Sequence, residues 1–246
     1  MNAPQWRTAL RIFALTVLML GVARLVPAAP LDSTEFDTGR AAFHVRFGDT
    51  QITHRVMAVT AMPGSTVRIA VESGLARGTY QLDAPVLLTD RLSGSSWRFT
   101  APSEPGLYPV RVTDPASATS VQIQVFVLNP WDHEGRRLNG YRIGHYEREP
   151  RHGRAVYEPP EGFVEVTAEN KDVRVAPHFR LDQFLCKQTE DTPQYALVRP
   201  RLLRHLEQVL AAVNEQGPTV STLHVMSGYR TPYYNRAIGN TTEYSR

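Results

Sequence analysis

Two folded parts are predicted: an all-β sandwich over residues 51–128 and an α+β part over 176–246, joined by a linker over 129–175. Three observations carry this. Strict period-two alternation runs through Val121, Ile123, Val125 and Val127, and recurs at Val110/Val112 and Trp97/Phe99, as half-buried strands require. Turn signals at Pro63-Gly64, Gly78, Ser93-Gly94-Ser95-Ser96 and Pro105-Gly106 cut that stretch into several short strands, the grammar of a sandwich. Beyond residue 200 the period changes to three and four, placing Leu203, Leu206, Val209, Leu210 and Val213 on one helical stripe.

The bulk numbers agree with a folded, two-part chain. With 246 residues and 42% hydrophobic content it can bury a core of its own. The formal net charge is +3 and rests on arginine, because lysine occurs only at 171 and 187. Acidic residues are interleaved throughout and no dense basic run appears, which argues against a nucleic-acid partner.

Taken in order, the chain opens with Arg7 and Arg11, the apolar run Ile12–Ala23, and the small residues of Val26-Pro27-Ala28-Ala29. That is the order of a secretory signal over residues 1–29, cleaved near Ala28 or Ala29. Twelve apolar residues ended by Arg24 are too few to span a bilayer, which needs about 20. The expected location is therefore the periplasm or cell envelope, with no stable membrane span once the signal is removed. Residues 30–50 show no clear period and are expected to be a leader. The sandwich follows, and its segment Trp97–Val112 resembles the end of bacterial immunoglobulin-like domains, where a Gly-Leu-Tyr corner leads into a late strand. The linker carries Pro130, Pro150, Pro159 and Pro160. Its string Leu138-Asn-Gly-Tyr-Arg-Ile-Gly-His-Tyr146, rich in aromatics and glycine, is expected to pack on a neighbour. His133, His145 and His152 lie in the same region, but their intervals match no common zinc pattern.

Leu181, Phe184 and Leu185 have the spacing of a small helix that docks on the long one. The long helix begins at Pro200, a residue suited to a first turn, and ends at Gly217. The lone cysteine, Cys186, has no partner for an internal disulfide and sits in the apolar string Phe184-Leu185-Cys186, a core position. Val220–Met226 reads as a strand. It runs into Ser227-Gly228-Tyr229-Arg230, after which Thr231 is placed to cap a helix, Pro232 to occupy its first turn and Gly239 to end it. Such a junction presents side chains at a cleft edge, and the Arg230 guanidinium has paired donors for a carboxylate or a developing oxyanion.

The run Ser227-Gly-Tyr-Arg-Thr-Pro-Tyr-Tyr-Asn235, followed by Ser245-Arg246, resembles the core of the zinc D-alanyl-D-alanine carboxypeptidase and murein endopeptidase family. Pro177–Lys187 and Leu138–Tyr146 are similar to upstream segments of the same domain, so the resemblance covers residues 135–246. It implies an exported peptidase acting on D-Ala-containing peptidoglycan peptides. It also implies that Arg230 contacts substrate and steadies charge on the scissile carbonyl, and that Ser227, Tyr229, Asn235 and Ser245 shape or support the site. The family's zinc ligands are a His in a Ser-x-His segment, an Asp in a Gly-x-Ala-x-Asp segment and a later His. Ser245 and Arg246 match the first two positions of the Ser-x-His segment, and the sequence stops before the His. The expectation is thus a C-terminally truncated relative, binding no zinc through its own residues and catalytically silent. The alternative is a non-enzymatic envelope module that binds wall peptide or a protein partner. His178, His205 and His224 lie in the right region but have no HExxH-like spacing.

Overall fold

The structure is a computed structural model and describes residues 36–73, 79–84, 89–146, 159–189, 193–217 and 219–239. The signal segment, Gly78, His152 and Ser245-Arg246 lie outside the described residues. The described residues belong to one compact unit that begins at Phe36.

Nine strands come first: β1 (Arg40–Phe47), β2 (Thr50–His54), β3 (Val56–Ala61), β4 (Thr66–Ser73), β5 (Gln81–Asp83), β6 (Thr89–Ser93), β7 (Ser96–Thr100), β8 (Gly106–Asp114) and β9 (Thr119–Val127). They form an all-β sandwich, with one sheet ordered β2-β1-β4-β7-β6 and the other β3-β9-β8-β5. Alternation decides what each sheet buries. Phe43, Val45 and Phe47 on β1, Ile69 on β4, and Trp97 and Phe99 on β7 meet Val110, Val112, Val121, Ile123 and Val125 in one core. Fully burying each such side chain is worth about 1.5–3 kcal/mol. Phe47 and Phe99 touch with ring centroids 5.9 Å apart. β3 and β9 run parallel, the one parallel pair among the described strands, reached by a crossover through the other sheet.

The leader expected over 30–50 gives way at Arg40 to β1. Phe43, Val45 and Phe47 point inward while Arg46 faces out and ion-pairs with Glu72 of β4. Three inward residues are too short a pattern to stand out locally, and β2 and β4 on either side complete it.

At the end of β9 the alternation breaks: Val125, Phe126 and Val127 are all buried. Both faces of the sheet are covered there, because the second half of the chain packs on β3, the strand paired with β9. It adds β10 (Asn129–Pro130), β11 (Arg137–Leu138), β12 (Tyr141–Arg142), β13 (Gly162–Val166), β14 (Arg174–Ala176), β15 (Phe179–Arg180), a 3-10 turn Leu181–Phe184, β16 (Gln194–Ala196), α1 (Pro200–Glu215) and α2 (Pro232–Ala237). β13 is central in a small sheet ordered β10-β13-β16, and β14 and α1 lie against β3. Val175, Ala176, Phe179, Leu181, Phe184, Leu203 and Leu210 extend the sandwich core without a break.

Two local expectations change. Val220–Met226 forms no strand, although Leu223 and Val225 do turn inward and His224 and Met226 outward. The Asn214 amide takes the place of a strand partner by donating to Val220 O at 2.9 Å and accepting from Val220 N–H at 2.8 Å. On α1 the buried stripe is Leu203, Glu207 and Leu210, while Val209 is 52% exposed. Glu207 is drawn in by His178, whose backbone N–H donates to Oε1 at 2.9 Å and whose Nδ1 donates to Oε2 at 2.7 Å. The His178 ring also stacks on Phe36, 4.8 Å between centroids.

His54, at the end of β2, is 1% exposed, and burial pushes its pKa down to about 4. The folded state therefore holds His54 neutral where the unfolded chain protonates it, near 6.5. Between those values the unfolded state binds more protons, so stability is lost as pH falls from about 6.5 towards about 4. Unfolding free energies from urea titrations at pH 7.5 and 5 are expected to differ by about 1–2 kcal/mol more in the native chain than in His54→Leu. Parallel pH profiles for the two proteins would refute this.

Candidate functional site around Arg230

The Ser227–Asn235 segment is held by three supports, each made by a residue far away in sequence. The first is the 3-10 turn. A Cβ on Gly228 would stand 2.8 Å from Phe184 Cα, so only glycine lets the two backbones meet, and Tyr229 N–H donates to Phe184 O at 3.3 Å.

The second support is an aromatic cluster. Trp131, Leu138, Tyr141, Ile143, Tyr146, Phe163, Tyr195 and Tyr229 form a buried group separate from the main core. The Leu138–Tyr146 string does pack on a neighbour, and that neighbour is Tyr229: the Tyr146 and Tyr229 hydroxyls are 2.8 Å apart. Burial pushes Tyr146 up to about 12 and Tyr229 well above its ordinary value. Both phenols stay protonated at neutral pH and act as a structural pair. Tyr229→Phe is expected to cost about 1–3 kcal/mol by leaving the Tyr146 hydroxyl buried without this partner. Adding Tyr146→Phe removes both polar groups, so the double variant should be less destabilised than the sum of the singles. Strict additivity in denaturant titrations would show that the pair is not coupled.

The third support fixes α2. Thr231 Oγ1 accepts from Tyr234 N–H at 3.0 Å, the cap its position predicts. The same hydroxyl donates to Gln188 Oε1 at 2.6 Å, and Gln188 Nε2 donates to Arg142 O at 3.0 Å. Arg142 Nη1 closes the circuit by donating to the Tyr233 hydroxyl at 2.6 Å, with its guanidinium 5.0 Å from that ring's centroid. Tyr233 N–H donates to Ile143 O at 3.1 Å.

Arg230 lies between these supports, half-buried, with buried Tyr229 before it and buried Thr231 after it. Cys186 is close to it, buried and unbridged, its thiol pushed up by burial. Asn235 is buried on α2, and Ser227 Oγ reaches Tyr229 O only at 3.5 Å. Ser245 lies outside the described residues. Sequence reasoning passed over Gln188 and Arg142, which carry no motif. It also passed over a signal it could have used: Asn139-Gly140 is a strong two-residue hairpin signal. Both residues have positive φ, and they join β11 to β12 with Leu138 opposite Tyr141.

The zinc ligands that the resemblance implies would follow Arg246, and the histidines in the region it covers are placed as follows. Among the described residues no three His, Cys, Asp or Glu side chains converge. His178 is committed to Glu207, His133 packs edge-on against Trp131, and His205 and His224 are exposed. Among the described residues no helix is long and apolar enough to cross a membrane. No family model matches the chain, and no curated protein shows significant similarity to it.

Proposed function

We propose that this chain is an exported envelope protein that binds the peptide stems of peptidoglycan at the Arg230 edge. Its sandwich, of immunoglobulin-like type, serves as a spacer, and its second half is related to the zinc D-Ala-D-Ala carboxypeptidases and murein endopeptidases. One observation carries the reading: Ser227–Asn235, the segment resembling that family, is locked from three sides around a single half-buried arginine. A guanidinium carried on a backbone fixed in this way offers two parallel N–H donors to a carboxylate, or to the carbonyl beside it. In the family, zinc supplies the hydrolytic water and polarises the amide. What the residues of this segment would contribute is recognition of the peptide.

Calorimetry with a purified muropeptide ending in D-Ala-D-Ala should show binding that weakens by about tenfold or more in Arg230→Ala, with partial rescue by Arg230→Lys. No binding by the native chain, or equal binding by Arg230→Ala, would sink the reading. Release of D-Ala in the presence of zinc, followed by mass spectrometry, would make the protein a peptidase instead of a binding module.

A further inference from the structure

Trp131 and Leu138, members of the aromatic cluster behind Tyr229, also wall a cavity of about 550 Å³ that Arg230 does not line. Met62 adds a further apolar wall, and Asp132, His133, Arg137, Asn139 and Glu161 supply polar ones. Strand pairing builds it. β10 and β13 approach so closely that a Cβ on Gly162 would stand 2.5 Å from Asn129 O, and Trp131 N–H donates to Glu161 O at 2.9 Å. The indole is the unusual group in this wall. Trp131 is 4% exposed, and its Nε1–H, shut off from solvent, meets no acceptor among the described residues. A buried donor left unmet is costly, and a buried tryptophan N–H ordinarily has a partner. The carboxylates of the same cavity have acceptor capacity to spare. Asp132 Oδ1 takes the Glu134 and Gly135 N–H groups at 3.2 Å each, while Asp132 Oδ2 and both Glu161 carboxylate oxygens accept no hydrogen bond among the described residues. His133 packs edge-on against the indole, 5.0 Å between ring centroids, and is exposed, so its side chain is able to turn aside.

We infer that this cavity binds a neutral sugar ring, as one unit of an oligosaccharide, separately from the Arg230 edge. Hydroxyl groups both donate and accept, so a single ligand of this class meets the indole N–H with an oxygen and gives protons to Asp132 and Glu161. An anion would face two carboxylates of its own charge sign, and a simple cation would face the indole N–H and the Arg137 guanidinium. The apolar C–H face of a sugar ring suits Met62 and Leu138, and the volume is that of a small-ligand site. Rotation of His133 opens the indole N–H to the ligand. The inference does not depend on the peptide-binding reading, because it uses different side chains.

The test is titration of the native chain with tri-N-acetylchitotriose and with cellotriose, followed by calorimetry and by tryptophan fluorescence. At least one trisaccharide should bind saturably, with a change in tryptophan emission that Trp131→Phe removes. Trp131→Phe takes away an N–H that has no partner in the native chain, so native circular dichroism is expected while sugar affinity falls at least about fivefold. Glu161 is exposed, so Glu161→Ala should fold and lose affinity by a similar factor, which keeps the inference falsifiable if Trp131→Phe does not fold. Arg230→Ala should leave sugar affinity unchanged, which separates failure of this site from failure of the peptide edge. The inference is overturned if neither trisaccharide binds, if either folded variant of Trp131 or Glu161 binds as the native chain does, or if Arg230→Ala removes the binding. Displacement of the sugar by tetramethylammonium or by pyrophosphate would also overturn it, because the site would then select by charge. Preference for the chitotriose supports the site with an acetamido sugar as its ligand, and equal or stronger binding of cellotriose supports it with an unsubstituted ring.

Discussion

Gly144→Ala is expected to destabilise the protein by about 2–5 kcal/mol and, on the function proposed above, to abolish muropeptide binding. Gly144 has φ +94°, a conformation in which an L-residue costs about 1–2 kcal/mol. Its new Cβ would also stand 2.5 Å from Tyr233 N and 3.1 Å from Tyr233 Cα. Those are backbone atoms of α2 and cannot rotate aside as a side-chain end would. Relieving the overlap means moving α2 away from the 141–146 segment, at a further cost of about 1–3 kcal/mol. The Tyr233 N–H bond to Ile143 O then lengthens or breaks, together with the Arg142–Tyr233 bond. Arg230 immediately precedes the α2 cap, so its placement goes with them. For a chain of this size the stability loss corresponds to a fall in Tm of roughly 10 °C. Gly64→Ala is the comparison: φ is +69° but nothing lies within 4 Å of the added carbon. Its loss should stay near the 1–2 kcal/mol of conformational strain alone. Equal losses for the two variants would show that close approach to Tyr233 is not what demands glycine at 144.

Glu207→Leu is expected to cost about 3 kcal/mol, with Glu207→Gln costing roughly half as much. By ordinary patterning a carboxylate in the buried stripe of α1 is misplaced. It is stable there because both oxygens are used, one by the His178 backbone N–H and one by the ring Nδ1. Leucine fills the space but leaves two part-buried His178 donors without their acceptors. Glutamine keeps the shape and at least one acceptor. The effect reaches beyond α1, since His178 sits at the tip of the β14–β15 hairpin with Phe36 stacked on its ring and Thr222 Oγ1 donating to its carbonyl at 2.8 Å. Chemical denaturation of the two variants measures the ranking. A Glu207→Leu protein as stable as the native one would mean that α1 is held by Leu203 and Leu210 alone.

Much of the fold is legible in local sequence because the interactions that specify it are local. The alternation of β9 needs only neighbours two residues apart, and the Thr231-Pro232 start of α2 needs only the Tyr234 N–H three residues on. Glu207 was not legible, since its partner lies 29 residues away and nothing in the heptad around it distinguishes a buried carboxylate from an exposed one. Residues 220–226 have the correct inward and outward faces but no sheet, because pairing is a property of the partner and here an asparagine side chain takes that role.

For the candidate site, the sequence by itself determined the motif Ser227–Asn235, its helix cap and the arginine it carries. Only the tertiary structure decided what holds the residues on either side of that arginine: Phe184 under Gly228, Tyr146 against Tyr229 across 83 positions, and Gln188 joining Thr231 to Arg142. It also decided that Met62, Trp131, Asp132 and Glu161 share one cavity. The physical reason is the same in each case. Periodicity and capping are set within a few residues and leave a local signature, whereas contacts across tens of residues are selected by shape and charge complementarity that exists only once the chain has folded.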